Sequence, residues 1–362
     1  MRIADFTAPP THQAVDARRA DARPLPDELP RTPQVVQPLV QLLDRSNKGI
    51  QRQLDNLLKV QPPAQKLAEQ LLAGSGADAT MAEFGEQLQG KRTRAQMWAQ
   101  QVRQSGAVMS HIQQSLRPEQ QQRLSAAQQG VLSQVQHNPS PPDGIAGELT
   151  QHRNGSSDFF DKLQELIGLI KNTYLAGYQH IIDVFTGFFD AFNKDITAKL
   201  EGWIKGVKDG KEVRLNVAEL RSALLALVSR YSPPRAAAVL FPAPGMGGAT
   251  REEAGKWLKA LGLPDDCLRK NANGGYSVVM DLSPLTIMIG QLPPNGASVD
   301  WDTARFQSWQ TGFTAQEDCL KNRLQSFTQK YSNANAYHDN FNKILSSHLS
   351  QYTDMLKAML NF

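Results

Sequence analysis

Cysteine is scarce in this chain of 362 residues, with only Cys267 and Cys319 far apart in the sequence. Two thiols at that separation give neither a disulfide framework nor the ligand spacing of a zinc site. Long apolar runs are missing as well. No segment offers the roughly 20 apolar residues of a membrane span, and the N-terminus lacks the apolar core of a signal peptide. We therefore expect no transmembrane segment and no Sec export, although export that reads a disordered N-terminus leaves no hydrophobic mark.

Charge of one sign is also in short supply. The 39 basic and 35 acidic residues are interspersed and leave a formal net charge of +4. Nucleic-acid binding needs a basic face, so we expect no nucleic-acid partner. With 40% hydrophobic and 20% charged residues, the chain has the composition of a folded protein with a sizeable core.

Catalytic motifs are absent from the sequence. The seven histidines form no HExxH motif and no His/Cys cluster, so no metal site is predicted. The glycine-rich run from Gly245 to Thr250 lacks the lysine of a phosphate loop and is interpreted as a surface turn. Asp265 and Asp266 follow Leu-Pro in a loop, where solvation or capping is the better interpretation. We expect no catalytic residue and no cofactor, and we interpret the chain as a non-enzyme that recognises partners through its surfaces.

Two long apolar stripes with steps of three and four residues dominate what is present, and such stripes are typical of coiled-coil helices. The later stripe would form a rod of roughly 90 Å, which needs a second element to cover it. We expect the two stripes to pair. The first consists of Phe160, Leu163, Ile167, Ile170, Tyr174, Ile181, Phe185, Phe188, Phe192, Ile196, Leu200 and Trp203, and the second of Phe306, Trp309, Phe313, Leu320, Leu324, Phe327, Tyr331, Ala334, Phe341, Leu345, Leu349, Tyr352, Leu356 and Met359.

Three glycines interrupt the first stripe: Gly168, Gly177 and Gly187. Each costs about 1 kcal/mol against alanine in a helix interior. Our hypothesis is that aromatic side chains of the second stripe fill the gaps beside them. The alternative is that the glycines only mark kinks.

The fold class we predict is mainly α, with a long antiparallel two-helix coiled coil, an N-terminal helical hairpin and a small inserted α/β domain. Residue pattern alone leaves the polarity of the two arms open. Proline-rich and glycine-rich stretches suggest the boundaries. The predicted units are a disordered tail (1–35), a helical hairpin (36–136), a linker (137–156), a first arm (157–205), an α/β insertion (206–300) and a second arm (301–362).

Within the insertion, local signals predict individual elements. Asp209-Gly210 is a two-residue hairpin signal, and Thr250 with Glu253 has the spacing of a capping box. The predicted helices are 217–231, one opening after Thr250 and one starting at Ser283-Pro284, and the predicted strands are 239–241 and 276–282.

The distal half of the last helix, from Gln329, carries few charges and many Ser, Asn and Gln residues. Such residues are poor helix formers, so their presence suggests that a partner packs there. A merely solvated polar face is the alternative. The chain end adds an apolar surface consisting of Met355, Leu356, Met359, Leu360 and Phe362.

At this point the residues resemble a known family, the needle-tip proteins of bacterial type III secretion, also called the invasion plasmid antigen D family. The resemblance covers roughly residues 157–362. It is carried by WQTGFTAQE from Trp309, QKYSNAN from Gln329, Asp339-Asn340 with KILSS from Lys343, VLFPA from Val239 and DLSPL from Asp281. The N-terminal third is similar only in layout, a tail followed by a helical hairpin.

This resemblance implies antiparallel arms and an N-terminal hairpin that acts as an intramolecular chaperone. It implies export by the type III apparatus and a ring, commonly a pentamer, at the extracellular needle tip. There it would regulate secretion, respond to host cues and provide a platform for hydrophobic translocator proteins. The implied partners are the needle subunit and the translocators, with bile salts as a possible ligand.

We expect the hairpin to mask the distal helix until the needle subunit displaces it. The residues expected to bind the needle subunit are Asn333, Asn335, Asp339, Asn340, Lys343, Ser346, Ser347, Met355, Met359 and Phe362. The alternative function is a cytosolic coiled-coil adaptor. A pore-forming translocator and an effector enzyme hidden in the insertion are weaker alternatives.

Overall fold

The structure, a computed structural model, describes residues 33–59, 69, 77–136, 159–245 and 248–361. Most of the predicted tail, the predicted linker and Phe362 lie outside the described residues.

Three helices form the N-terminal unit, which we call the cover: α1 (Pro33–Leu57), α2 (Ala77–Gln114) and α3 (Pro118–Gln136). Helices α1 and α2 run antiparallel, since Lys91 Nζ lies 3.5 Å from the Leu57 carbonyl while Gly49 faces Gln101. The sequence predicted two helices here. The third arises because Pro118 has no N–H to continue α2 and instead opens a new helix.

Two arms form a long shaft. The first arm begins at Phe159 and ends at Trp203, with right-handed helical dihedrals kept across its π-helical stretches. The second arm is the 58-residue helix α10, capped by Asp302, whose carboxylate accepts from the Arg305 N–H at 2.8 Å. The elements are α4 (Phe159–Gly168), a π-helix (Leu169–Leu175), α5 (Ala176–Phe192), a π-helix (Asn193–Thr197), α6 (Ala198–Leu200), a 3-10 turn (Glu201–Trp203) and α10 (Thr303–Leu360).

Aromatic pairs along the shaft fix the polarity that the residue pattern left open. Ring centroids are 5.9 Å apart for Phe160 with Tyr352, and 5.1 Å apart for Phe185 with Phe327. Sequence numbers rise along one arm as they fall along the other, so the arms are antiparallel. The predicted stripes are buried except for four half-buried members near the ends: Leu200, Trp203, Phe306 and Met359. The predicted coiled coil is confirmed.

Between the arms lies the α/β insertion, built on two three-stranded antiparallel sheets with orders β1-β2-β6 and β3-β5-β4. Helix α9 lies against α10, and Asp281, just before α9, forms an ion pair with Arg323 of α10 at 2.5 Å. The elements are β1 (Ile204–Val207), β2 (Glu212–Leu215), α7 (Val217–Arg230), β3 (Val239–Phe241), α8 (Arg251–Leu261), β4 (Leu268–Lys270), β5 (Tyr276–Val279), α9 (Ser283–Gly290) and β6 (Val299–Asp302).

Several local predictions for the insertion are confirmed, and two need correction. Both bonds of the capping box at Thr250 and Glu253 are present. The turn at Asp209-Gly210 is a four-residue loop, because Val207 pairs with Glu212 and three successive loop residues have positive φ. Strand β5 is shorter than expected, since Asp281 accepts from the Ser283 N–H at 2.9 Å and turns the chain toward α9.

The glycine hypothesis was wrong about the partner. A Cβ on Gly177 would lie 2.7 Å from the indole ring of Trp257, which belongs to α8 of the insertion and not to the second arm. Beside Gly187 nothing lies within 4 Å, and beside Gly168 only Asn172 of the same arm does. Gly177 therefore lets the insertion pack closely against the first arm, where Trp257 also stacks on Phe241 at 4.9 Å.

Candidate partner-binding surface

The distal half of α10 presents three faces. One faces the first arm and is apolar, with Leu345 and Leu349 fully buried. A second, which we call the covered face, lies under α1, α2 and α3. The third, the open stripe, is exposed and consists of Asn333, Ala336, Asn340, Lys343, Ser347, Gln351, Asp354 and Ala358.

Helix α2 reaches the covered face through polar contacts. The Trp98 indole N–H donates to Asn342 Oδ1 at 2.6 Å, and the Lys91 ammonium forms an ion pair with Asp339. Phe84 adds an edge-to-face contact with Tyr331, with centroids 6.0 Å apart. These pairs lie in the same order along both helices, so α2 runs parallel to α10.

Helices α1 and α3 continue the polar contacts toward the chain end. The Gln51 amide donates to Ser346 Oγ at 3.2 Å and to Ser350 Oγ at 2.9 Å, and Ser350 donates to Asn47 Oδ1 at 2.8 Å. Beyond them the Gln128 amide donates to the Tyr352 hydroxyl at 2.7 Å. The serine and asparagine content of this helix therefore serves a surface that the chain itself covers.

In the ion pair between Lys91 and Asp339, the lysine is more deeply buried than the aspartate. Lys91 is only 2% exposed and Asp339 is 20% exposed. Burial lowers the pKa of the Lys91 ammonium, although the Asp339 charge opposes that shift. Burial acts to raise the pKa of Asp339, but His338 and Lys91 outweigh it and hold that pKa below its usual value. The carboxylate is thus ionised at neutral pH.

His338 lies between the ion pair and Asn342 in the same buried cluster. Its Nδ1 is 3.2 Å from Asp339 Oδ1, and its Nε2 is 3.2 Å from the Asn342 amide nitrogen. The same amide nitrogen donates to the His338 carbonyl at 2.8 Å. Burial is the largest cause that lowers the pKa of this imidazole.

The predicted binding residues fall on different faces. Asn333, Asn340, Lys343 and Ser347 lie together on the open stripe. Asp339 and Ser346 bond to the cover, while Met355 and Met359 are half-buried against the core. Asn335 is half-buried and its buried Oδ1 has no hydrogen-bond partner in the described part of the chain. Phe362 lies outside the described residues.

Sequence reasoning missed the cover's own contact residues, chiefly Lys91, Trp98 and Gln51. In the sequence, Trp98 is only one of a few apolar residues in a glutamine-rich segment. Lys91 lies in the basic run KRTR, where nothing distinguishes the one buried side chain from its exposed neighbours Arg92 and Thr93. His338 is one of the seven histidines for which no metal site is predicted, and nothing in the sequence distinguishes it from the others.

The described residues show neither a metal site nor a membrane-spanning helix. No group of three or more His, Cys, Asp or Glu side chains in those ranges is placed to hold a metal ion. None of the helices described here combines the length and the apolar character that crossing a bilayer requires.

The architecture is that of a helical protein with a long antiparallel two-helix shaft, an inserted α/β domain and a terminal helix that the chain's own N-terminal helices partly cover. The model of the family described as type III secretion systems tip complex components matches residues 12–360, and the chain belongs to that family.

Individual relatives agree with this assignment. The chain is 39% identical over 244 residues to the cell invasion protein SipD of Salmonella typhi, covering 66% of this chain and 71% of that protein. It is 35% identical over 218 residues to the invasin IpaD of Shigella dysenteriae, covering 59% and 62%. Among solved structures, it is similar to the pathogenicity island 1 effector protein of Chromobacterium violaceum, with a TM-score of 0.61 and 28% identity over 88% of this chain and 97% of that one.

Proposed function

We propose that this protein caps the needle of a type III secretion system, with the distal half of α10 as its binding surface for the needle subunit. The cover shields one side of that surface until the needle subunit displaces it. The observation that carries the proposal is the division of this half-helix into an open polar stripe and a face occupied by polar contacts from α1–α3.

The hydrogen bonds between the cover and the covered face of α10 are of a kind that another helix can replace. A neutral intramolecular hydrogen bond contributes only about 1 kcal/mol net, so each bond to the cover is exchangeable for a similar bond from another helix. A partner that engages the open stripe as well makes contacts that the cover lacks. Such differential contacts shift the population toward the open form.

The wider role is proposed from the family resemblance and from the relatives' names. SipD is named a cell invasion protein and IpaD an invasin, which supports a role of this chain in host-cell invasion. The proposed role comprises export by the type III apparatus, residence at the needle tip outside the bacterium and a ring of copies, commonly a pentamer. It further comprises control of secretion, response to host cues, bile salts possible among them, and a platform for hydrophobic translocators. We propose no catalytic activity.

A titration with purified needle subunit tests the binding surface. Asn340→Arg with Lys343→Glu adds bulk and reverses charge on the open stripe, and we expect at least a tenfold weaker Kd. The matched control is Asn322→Arg with Gln325→Glu, which has the same spacing on the same helix at exposed positions of its proximal half. Equal affinity of the test variant, the control and the unmodified protein would refute the proposed surface.

A genetic experiment separates this function from the cytosolic adaptor. Deleting the gene is expected to make translocator release unregulated and to abolish host-cell invasion. The protein itself should appear in the culture supernatant only when the secretion apparatus is intact. Retention in the cell pellet with normal regulation of secretion would favour the adaptor.

A further inference from the structure

The side chain of Asn342 joins the cover to His338. Its Oδ1 accepts from the Trp98 indole at 2.6 Å, and its amide nitrogen faces His338. All three side chains are buried, with 1% exposure or less. The protonation state of the His338 imidazole is therefore coupled to Trp98 of the cover through the side-chain amide of Asn342.

Hydrogen-bond chemistry fixes the orientation of this amide when the cover is docked. An indole N–H only donates, so Asn342 must present its oxygen to Trp98. Its NH2 group then points at His338, where one hydrogen goes to the backbone carbonyl at 2.8 Å. The other hydrogen is left facing the ring.

The docked arrangement favours a neutral ring. Nδ1 lies 3.2 Å from the ionised Asp339 carboxylate, which only accepts, so Nδ1 carries a proton. The Asn342 amide nitrogen lies 3.2 Å from Nε2 and 3.4 Å from Nδ1, so its second hydrogen faces the ring and not one ring nitrogen. A second ring proton would place a positive charge against this N–H group in a buried site. Without Trp98, the Asn342 amide is free to turn and offer its oxygen to a protonated ring.

The charges around the ring act in both directions: Asp339 favours a second proton on His338, whereas two lysines disfavour it. Asp339 on α10 faces it, but this carboxylate is already paired with Lys91 of α2. Lys91 and Lys171 of the first arm both disfavour a further positive charge on His338, and burial disfavours it most. Asp339 itself has a lowered pKa, so it stays ionised between pH 5 and 7.5 and does not titrate with the ring.

We propose that docking of the cover and protonation of His338 exclude each other, so that mild acid releases the cover from α10. The inference rests on the releasable cover of the proposed function and adds a chemical trigger to it. The direction follows from linkage: a base whose pKa is lowered in the closed state stabilises that state at high pH, and the advantage is lost as pH falls below the open-state pKa.

Hydrogen exchange of the full chain, followed by mass spectrometry, tests the coupling. With an open-state pKa near 6.5, the opening equilibrium of α2 around Trp98 is expected to rise by up to about 30-fold between pH 7.5 and pH 5, after correction for intrinsic exchange. Peptides of α9 in the insertion provide an internal reference and should keep their protection.

Two variants make the test specific. His338→Gln removes the titrating group and should remove the pH dependence of α2 protection, while His348→Gln, ten residues further on the same helix, should behave as the unmodified protein does. Equal pH dependence in His338→Gln and the unmodified chain, or none in the unmodified chain, would overturn the inference.

A second measurement tests the inference without a variant, in case His338→Gln does not fold. Nitrogen chemical shifts of the His338 ring in the unmodified protein are expected to show the neutral, Nδ1-protonated form while α2 is protected. A doubly protonated ring with the cover still docked would contradict the inference. Adding needle subunit at pH 7.5 keeps the two proposals apart, because failure to open there counts against partner displacement and not against acid release.

Discussion

Lys91 and Asp339 form an ion pair across the boundary between the cover and the shaft, and their burial is unequal, at 2% and 20% exposure. Taking one partner away from a buried pair leaves an uncompensated charge, which costs more the deeper that charge lies. The two halves of this pair should therefore respond differently to substitution.

Asp339→Asn leaves the deeply buried Lys91 without its carboxylate, and we expect the cover to lose about 3 kcal/mol of docking stability. Lys91→Met leaves the more accessible Asp339 with its contact to His338 and should cost less. Protection of α2 against hydrogen exchange measures both values. A larger loss of docking stability in Lys91→Met than in Asp339→Asn would show that Asp339, and not Lys91, is the more deeply buried charge.

Trp98→Phe keeps an aromatic ring in the core but removes the donor to Asn342. A buried acceptor left without its donor costs about 1–3 kcal/mol, so α2 should lose protection by that amount. Trp257→Phe, a ring substitution in the insertion, is the control and should leave α2 unchanged. An unaffected cover in Trp98→Phe would mean that the bond to Asn342 contributes nothing to docking.

Gly177 and Gly187 lie ten residues apart in the same helix and form a matched pair. A methyl group on Gly177 would lie 2.7 Å from the Trp257 ring, while one on Gly187 meets nothing within 4 Å. We expect Gly177→Ala to destabilise the fold by about 1–3 kcal/mol through overpacking, and Gly187→Ala to stabilise it by up to about 1 kcal/mol through helix propensity. Urea unfolding gives the change in the free energy of unfolding for each variant. Stabilisation by both substitutions would show that Gly177 and Trp257 are not in close contact.

The two thiols should differ in reactivity. Burial, with a smaller contribution from Asp281, raises the pKa of the Cys267 thiol to about 11, whereas Cys319 is half-buried. At pH 8 the thiolate fraction of Cys267 is about one in a thousand, so its alkylation by iodoacetamide in the native protein is expected to lag well behind that of Cys319. Peptide mapping over time measures both rates. Equal rates before unfolding would show that Cys267 is accessible.

Most of the shaft was predictable because its information is local and repeated. The steps of three and four residues from Phe160 to Ile196 and from Trp309 to Leu356 identify both the arms and their buried faces. Arm polarity was not predictable from the stripes, because a seam of this kind pairs in either direction. Contacts such as Phe185 with Phe327 settle it only in three dimensions.

The candidate surface was predictable only in outline. Low charge and abundant Ser and Asn indicated that something packs on the distal helix, but such composition does not say which face is occupied. The division of the distal half of α10 into the covered face and the open stripe depends on individual contacts between distant segments, such as Gln51 with Ser346. The prediction that an aromatic side chain of the second arm lies beside Gly177 was wrong for the same reason, because no periodicity in the arms indicates Trp257 of the insertion.

Locking the cover in place tests whether the cover must leave α10 before the needle subunit binds. Asn47→Cys with Ser350→Cys places thiols on α1 and α10 where the native side chains bond at 2.8 Å, and a short bismaleimide joins them. We expect the cross-linked protein to bind needle subunit at least tenfold more weakly than the same variant before cross-linking. Equal affinity of the two forms would contradict the claim that the cover must leave α10 for the needle subunit to bind.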